Sequence, residues 1–157
     1  MEISDFVDRS IGHWRSQRSA HHLAFRHFEA VHSEIHIAPL PLNHPAVLEL
    51  CQRYQVPPAA AVAPFQMDWE GHSDWDDAEI MKGTAVLVPV PLPDDPARGT
   101  LLRDQGYAET IPAAAAFHLT PEGMFVLSTT YDHAAAEERI WFESPTLRFR
   151  VSLIKTS

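Results

Sequence analysis

At 157 residues, 45% hydrophobic and 21% charged, the chain is long enough for one domain with a real core and too apolar to be disordered. Its 21 acidic residues against 12 basic ones leave a formal charge of −9, which argues against nucleic acid as partner, because phosphate binding needs a basic stripe and none is present. A single cysteine, Cys51, excludes an internal disulfide and fits a reducing, cytosolic compartment.

The N-terminal stretch MEISDFVDRS is too acidic and polar for a signal or transit peptide. The most apolar run, Thr84 to Pro93, is interrupted by prolines and too short to span a bilayer. The expectation is one soluble domain over residues 1–157.

In chain order, Ser4 caps a short helix from Asp5 to Ser10. His21 to Phe25 is a first strand, and Ala30 to Pro39 a clearer one, with Val31, Ser33, Ile35 and Ile37 on one face. Asn43 caps a helix from His44 to Tyr54, with Pro45 in its first turn and Val47, Leu48, Cys51 and Tyr54 as its apolar face. Pro57 and Pro58 stop it.

Val62 to Glu70 is a strand carrying Phe65, Met67 and Trp69 on one side; Gly71 to Ser73 is a turn. Thr84 to Val90 is a β-branched strand, and the proline-rich segment Pro91 to Gly99 a loop. Leu101 to Glu109 carries no decisive pattern. Hairpins follow: Ala113–Leu119 with Met124–Tyr131, and Glu137–Phe142 with Thr146–Ile154. Roughly eight to ten short meandering strands with two helices predict a closed up-and-down barrel, which removes edge strands and leaves an internal cavity; a sandwich is the rival.

The last hairpin holds the most unusual pattern. Leu147, Phe149, Val151 and Leu153 alternate with Arg148, Arg150 and Ser152, behind Glu137, Glu138, Arg139, Trp141 and Phe142. Two guanidiniums on one strand face repel, and each calls for an anion, a carboxylate or an aromatic face. The stretch reads as a site for a flat, acidic, conjugated ligand or as an internal salt-bridge cluster. The ten histidines and lone cysteine match no zinc spacing, so no metal site is expected.

Gly12-x-Trp14 before the strands, with arginine on a late one, resembles the signature of the calycin barrels, the lipocalins and fatty-acid-binding proteins. A more specific likeness runs in order along nearly the whole chain: Trp14-Arg15-Ser16-Gln17-Arg18 with His21-His22, Thr84 to Pro91, Leu101 to Glu109, Glu137 to Phe142, and Leu147-Arg148-Phe149-Arg150. Together these resemble the S-type phycobiliprotein lyases, the CpcS/CpeS family.

That resemblance implies a mainly β, lipocalin-like (calycin) antiparallel barrel with a short N-terminal helix and one inserted helix. It implies a lyase of the phycobilisome, in cyanobacterial cytosol or algal plastid stroma. Such an enzyme binds an open-chain tetrapyrrole (a bilin, phycocyanobilin or phycoerythrobilin) as substrate, with no prosthetic group, and promotes its thioether attachment to a cysteine of an apo-phycobiliprotein subunit. The alternatives are a non-catalytic bilin carrier, or a subunit active only as a homodimer or with a related lyase subunit. The resemblance implies another strand after the point where this chain ends, so that either the barrel closes differently here or the C-terminus is shortened.

Under the resemblance, Arg148 is the first choice for clamping a bilin propionate, because a guanidinium meets a carboxylate with two parallel hydrogen bonds; Arg150 is the second. One of Arg148, Arg150, Arg15 and Arg18 is expected to pack over Trp14 instead. Glu138 either protonates or hydrogen-bonds the pyrrole nitrogens, or pairs with Arg139 or Arg148. Ser152 is a candidate donor. Met67, Trp69 and Trp75 offer stacking surface, with core packing as the ordinary alternative. Arg18 completes the expected ligand contacts. Cys51 is read as a buried helix residue, the nucleophile belonging to the acceptor protein.

Overall fold

The structure, a computed structural model, describes residues 1–22, 27–73, 76–104, 115–130 and 134–156. Among these, nine antiparallel strands form one sheet in chain order: β1 (Gly12–His22), β2 (His27–Pro39), β3 (Phe65–Ser73), β4 (Asp76–Leu92), β5 (Asp95–Arg103), β6 (Ala115–Leu119), β7 (Phe125–Thr130), β8 (Ala134–Ser144) and β9 (Leu147–Thr156). Two α-helices accompany them, α1 (Ile3–Ser10) and α2 (Pro45–Arg53). One continuous sheet of sequential neighbours excludes the sandwich and agrees with a calycin-type meander.

The sheet curls so that the start of β9 approaches the start of β1. Arg148 of β9 stands over the indole of Trp14 on β1, 5.5 Å from the ring centroid. No ladder joins β1 to β9 among the described residues, so side chains close this seam.

Alternation sorts the residues into two clusters. The inner one gathers Ala85 and Leu87 of β4, Leu101 of β5, Ala115, Phe117 and Leu119 of β6, Phe125 and Leu127 of β7, and Ile140 of β8. Ile3, Phe6 and Val7 of α1 join it at helical spacing, so α1 plugs the end where β1 begins and β8 ends. Phe6 stacks on Phe125 at 4.5 Å and meets Phe142 edge-on at 5.7 Å, contacts worth about 0.5–1.5 kcal/mol each beyond their buried area.

The outer cluster lies under α2, where Val47, Leu50 and Cys51 cover Val86, Val88 and Leu102. The helix buries positions 47, 50, 51 and 54, so Leu50 replaces the expected Leu48, which is 41% exposed. His44 Nδ1, rather than Asn43, caps it by accepting from the Ala46 N–H.

Other expectations are corrected. α1 starts at Ile3, because that residue is needed for the apolar face, and Asp5 accepts from the Glu2 N–H. The first strand already starts at Gly12 and runs to His22, and residues 23–25 of the expected strand lie outside the described residues; its inner side carries Trp14, Ser16 and Arg18, so it lacks a hydrophobic alternation. Gly71 to Ser73 belongs to β3. The Pro91 to Gly99 loop is the turn of the β4–β5 hairpin and its flanks. There Pro91 faces Gly99, where any Cβ would lie 2.2 Å from the Val90 carbonyl oxygen.

Candidate functional site

Each strand sends every second residue inward, so the register fixes what lines the interior. On β8 the inward set runs Glu138, Ile140, Phe142 toward α1. On β9 the facing set is Ser152, Arg150, Arg148, paired rung by rung. The last hairpin is therefore turned inside out relative to an ordinary core: Leu147, Phe149, Val151 and Leu153 point outward, all more than two-fifths exposed, while the arginines face the lumen. Outside, Phe149 stacks on Trp141 at 5.6 Å and Arg139 pairs with Glu137 at 3.2 Å.

The rung next to α1 is structural. Arg148 donates to Ser10 Oγ at 3.0 Å, Ser10 Oγ donates to the Phe6 carbonyl at 2.9 Å, and the Trp14 indole N–H donates to the Ser10 carbonyl at 2.9 Å. Of the four arginines weighed for packing on Trp14, the geometry selects Arg148. The guanidinium expected to clamp a propionate is thus also the one that stands over the indole and bonds a buried serine.

Four residues further along β8, about 13 Å from that floor, sits Glu138. It is 8% exposed, receives a long hydrogen bond from Ser152 Oγ at 3.4 Å and faces Arg150 Nη1 at 3.9 Å. Burial pushes the Arg148 guanidinium down to about 10; the charge of Arg150 adds to this and that of Glu138 opposes it. Glu138 and the two guanidiniums of Arg148 and Arg150 thus stand on one wall.

Across the lumen, Met67 and Trp69 of β3 are partly buried against the inner cluster. Trp69 lies flat over Gly83 of β4, where a Cβ would meet the indole at 2.1 Å, so this glycine makes room for the ring. Arg18 is exposed on the inward-facing row of β1, four residues beyond Trp14. Trp75 lies outside the described residues.

Sequence reasoning passed over one inward residue, Arg103. It ends β5, is 7% exposed and donates from Nη2 to Thr129 Oγ1 of β7 at 2.9 Å. Only its parity with Leu101 could have placed it inside. Cys51 is fully buried on the sheet-facing side of α2, against the outer face of the sheet, and burial pushes its thiol up, which makes it a poor nucleophile.

A curled antiparallel sheet plugged by one helix, with arginine, carboxylate and indole on its inner wall, defines a calycin-type protein. Residues 2–157 match the model of the CpeS-like protein family. Chromophore lyase CpcS/CpeS 3 of Trichodesmium erythraeum is 56% identical over 157 residues, all of this chain and 91% of the relative. Chromophore lyase CpcS/CpeS 2 of a Synechococcus strain is 46% identical over 99% of this chain and 82% of its own length. The solved structure of the S-type phycobiliprotein lyase CPES from Guillardia theta superposes with a TM-score of 0.88 at 44% identity, covering 99% of this chain and 84% of that one. The chain belongs to the CpeS-like family.

Proposed function

We propose that this chain is a phycobiliprotein chromophore lyase. It holds an open-chain tetrapyrrole inside the barrel and presents the ethylidene group to a cysteine thiol of an apo-phycobiliprotein subunit. The thiol adds across the ethylidene double bond: sulfur bonds to carbon, the thiol proton is taken up at the former double bond, and nothing is oxidised or expelled. The chain needs no nucleophile of its own, in keeping with a buried Cys51.

The observation that carries this reading is the buried Glu138 on the inner wall, facing Arg150 at 3.9 Å and Ser152 at 3.4 Å. Arg150, at the lumen and only 3.9 Å from Glu138, clamps a propionate with its planar fork. Glu138 hydrogen-bonds the pyrrole nitrogens and sets their protonation. Ser152 orients Glu138, Trp69 and Met67 cover the conjugated face, and Trp75 and Arg18 complete the contacts. Arg148 fixes the floor against which the ligand rests. The gain in rate comes from orientation and from suppression of unselective addition.

No described helix is long and apolar enough to cross a membrane. The proposed setting is the cytosol of a phycobilisome-bearing cell. Titration of the protein with phycocyanobilin or phycoerythrobilin is expected to shift the long-wavelength absorption band to the red and sharpen it, as the bilin is fixed in one extended, protonated form. The bilin that binds more tightly names the substrate. An unchanged spectrum with both would rule the reading out. Activity that appears only on adding a related lyase subunit would assign the chain to a heterodimer.

A further inference from the structure

The ligand of the proposed reaction carries two propionates, and Arg150 accounts for one. We infer that Arg103, held by Thr129, is the contact for the second; this rests on the bilin reading above.

The register puts Arg103 in the lumen. It is cross-strand partner to Leu87 and lies two residues beyond Leu101, both of them inner-cluster residues. The neighbouring Leu102 faces the other way, beneath α2. Arg103 ends its strand at the end of the barrel away from α1, two residues past Leu101, which pairs with Ala115 in the last β5–β6 pair among the described residues. From there its guanidinium reaches Thr129, the penultimate residue of Phe125–Thr130 and buried.

The position is held firmly. The Tyr54 hydroxyl of the α2 cap donates to the Arg103 carbonyl at 3.4 Å. Next along the chain, Asp104 accepts the Val86 N–H at 2.9 Å, and its own N–H donates to the Val86 carbonyl at 3.3 Å. Two elements outside the lumen thus lock the backbone from which the guanidinium projects, as a preorganised binding group requires.

Its location relative to the other arginine gives the inference its content. Thr129 pairs with Ala136 of β8, and Leu127 with Glu138, so the hydroxyl that aims Arg103 is a diagonal neighbour of the carboxylate that faces Arg150. Arg103 approaches this belt from the β5 side and Arg150 from the β9 side. Propionates on the two central rings of a tetrapyrrole project from one edge of the ligand. A guanidinium on each side of Glu138 receives one of them each, while the carboxylate meets the nitrogens between.

The test compares the free diacid of phycocyanobilin with its dimethyl ester, each titrated by absorbance against the parent protein, Arg103→Gln, Arg150→Gln and the double variant. Arg103→Gln is expected to raise Kd for the diacid about tenfold and to leave the diester within about twofold. In the double variant the two losses should multiply to about a hundredfold.

A diacid Kd unchanged in Arg103→Gln overturns the inference. So does an equal loss for acid and ester, which would assign Arg103 to packing. Should Arg103→Gln fail to fold, Thr129→Val takes its place, with a threefold to tenfold loss expected for the diacid alone, by order of magnitude; no selective loss there overturns the inference equally. A parent protein that binds neither ligand brings down the bilin reading itself, and Arg103's role with it.

Discussion

Glu138→Gln is expected to bind bilin within about threefold of the parent protein and to attach it to the acceptor about a hundredfold more slowly, the lower range for loss of a positioned proton donor or acceptor. Glu138 is buried on the inner wall, with Ser152 Oγ at 3.4 Å and Arg150 at 3.9 Å. Glutamine keeps the shape and the hydrogen bond from Ser152 but can neither hold a negative charge opposite a protonated pyrrole nor exchange a proton with it. Single-turnover attachment to an apo-subunit, with the bilin prebound, separates the two effects. A Kd that rises while the attachment rate holds would mean that Glu138 serves only to position Arg150.

Arg148→Ala should cost stability before it costs affinity. The guanidinium lies on the Trp14 ring and donates to Ser10 Oγ, joining β9 to α1 and β1 at a seam without a described backbone ladder. A cation–π contact of about 1–2 kcal/mol and a charged hydrogen bond of about 1.5–3 kcal/mol are lost together. Burial opposes them, as the depressed guanidinium value of about 10 records. The net expectation is a loss of about 2–3 kcal/mol in unfolding free energy by urea titration. At low temperature, where the variant is folded, its bilin Kd should move less than that of Arg150→Gln. An unchanged urea midpoint with a large loss of affinity would return Arg148 to the ligand.

The legible parts of the fold were those with a strict alternation against a buried face. The β6–β7 hairpin lies within two residues of its expected bounds, because Phe117, Leu119, Phe125 and Leu127 all face the inner cluster and the turn ends on Gly123 in the left-handed region. The β8–β9 hairpin was legible for the opposite reason: an inward row of Arg148, Arg150 and Ser152 still alternates with an apolar row, though the apolar row faces out. Where both rows are polar, as in β1 with Trp14, Ser16 and Arg18 inward, periodicity carries no signal and the strand was placed too late.

The candidate site divides similarly. Strand parity brought Arg148, Arg150 and Ser152 to one face without any structure, whereas the place of Glu138 opposite them follows from the cross-strand register. Which arginine packs on Trp14 depends on how the sheet curls, a contact between positions 14 and 148 that local pattern cannot reach. Arg103 escaped notice because Leu101 and Leu102 are both buried, one on each side of the sheet, so no alternation marks the residue that follows them.

The central claim is that this chain attaches a bilin to another protein's cysteine rather than merely carrying it. The most direct measurement is the mass of the tryptic peptides from an apo-phycobiliprotein subunit after incubation with bilin, with and without this chain, under denaturing work-up. One cysteine peptide of the acceptor is expected to be heavier by one bilin, formed only when the chain is present, with Cys51 unmodified. Bilin released entirely on denaturation, or the same mixture of adducts in the chain's absence, would contradict it.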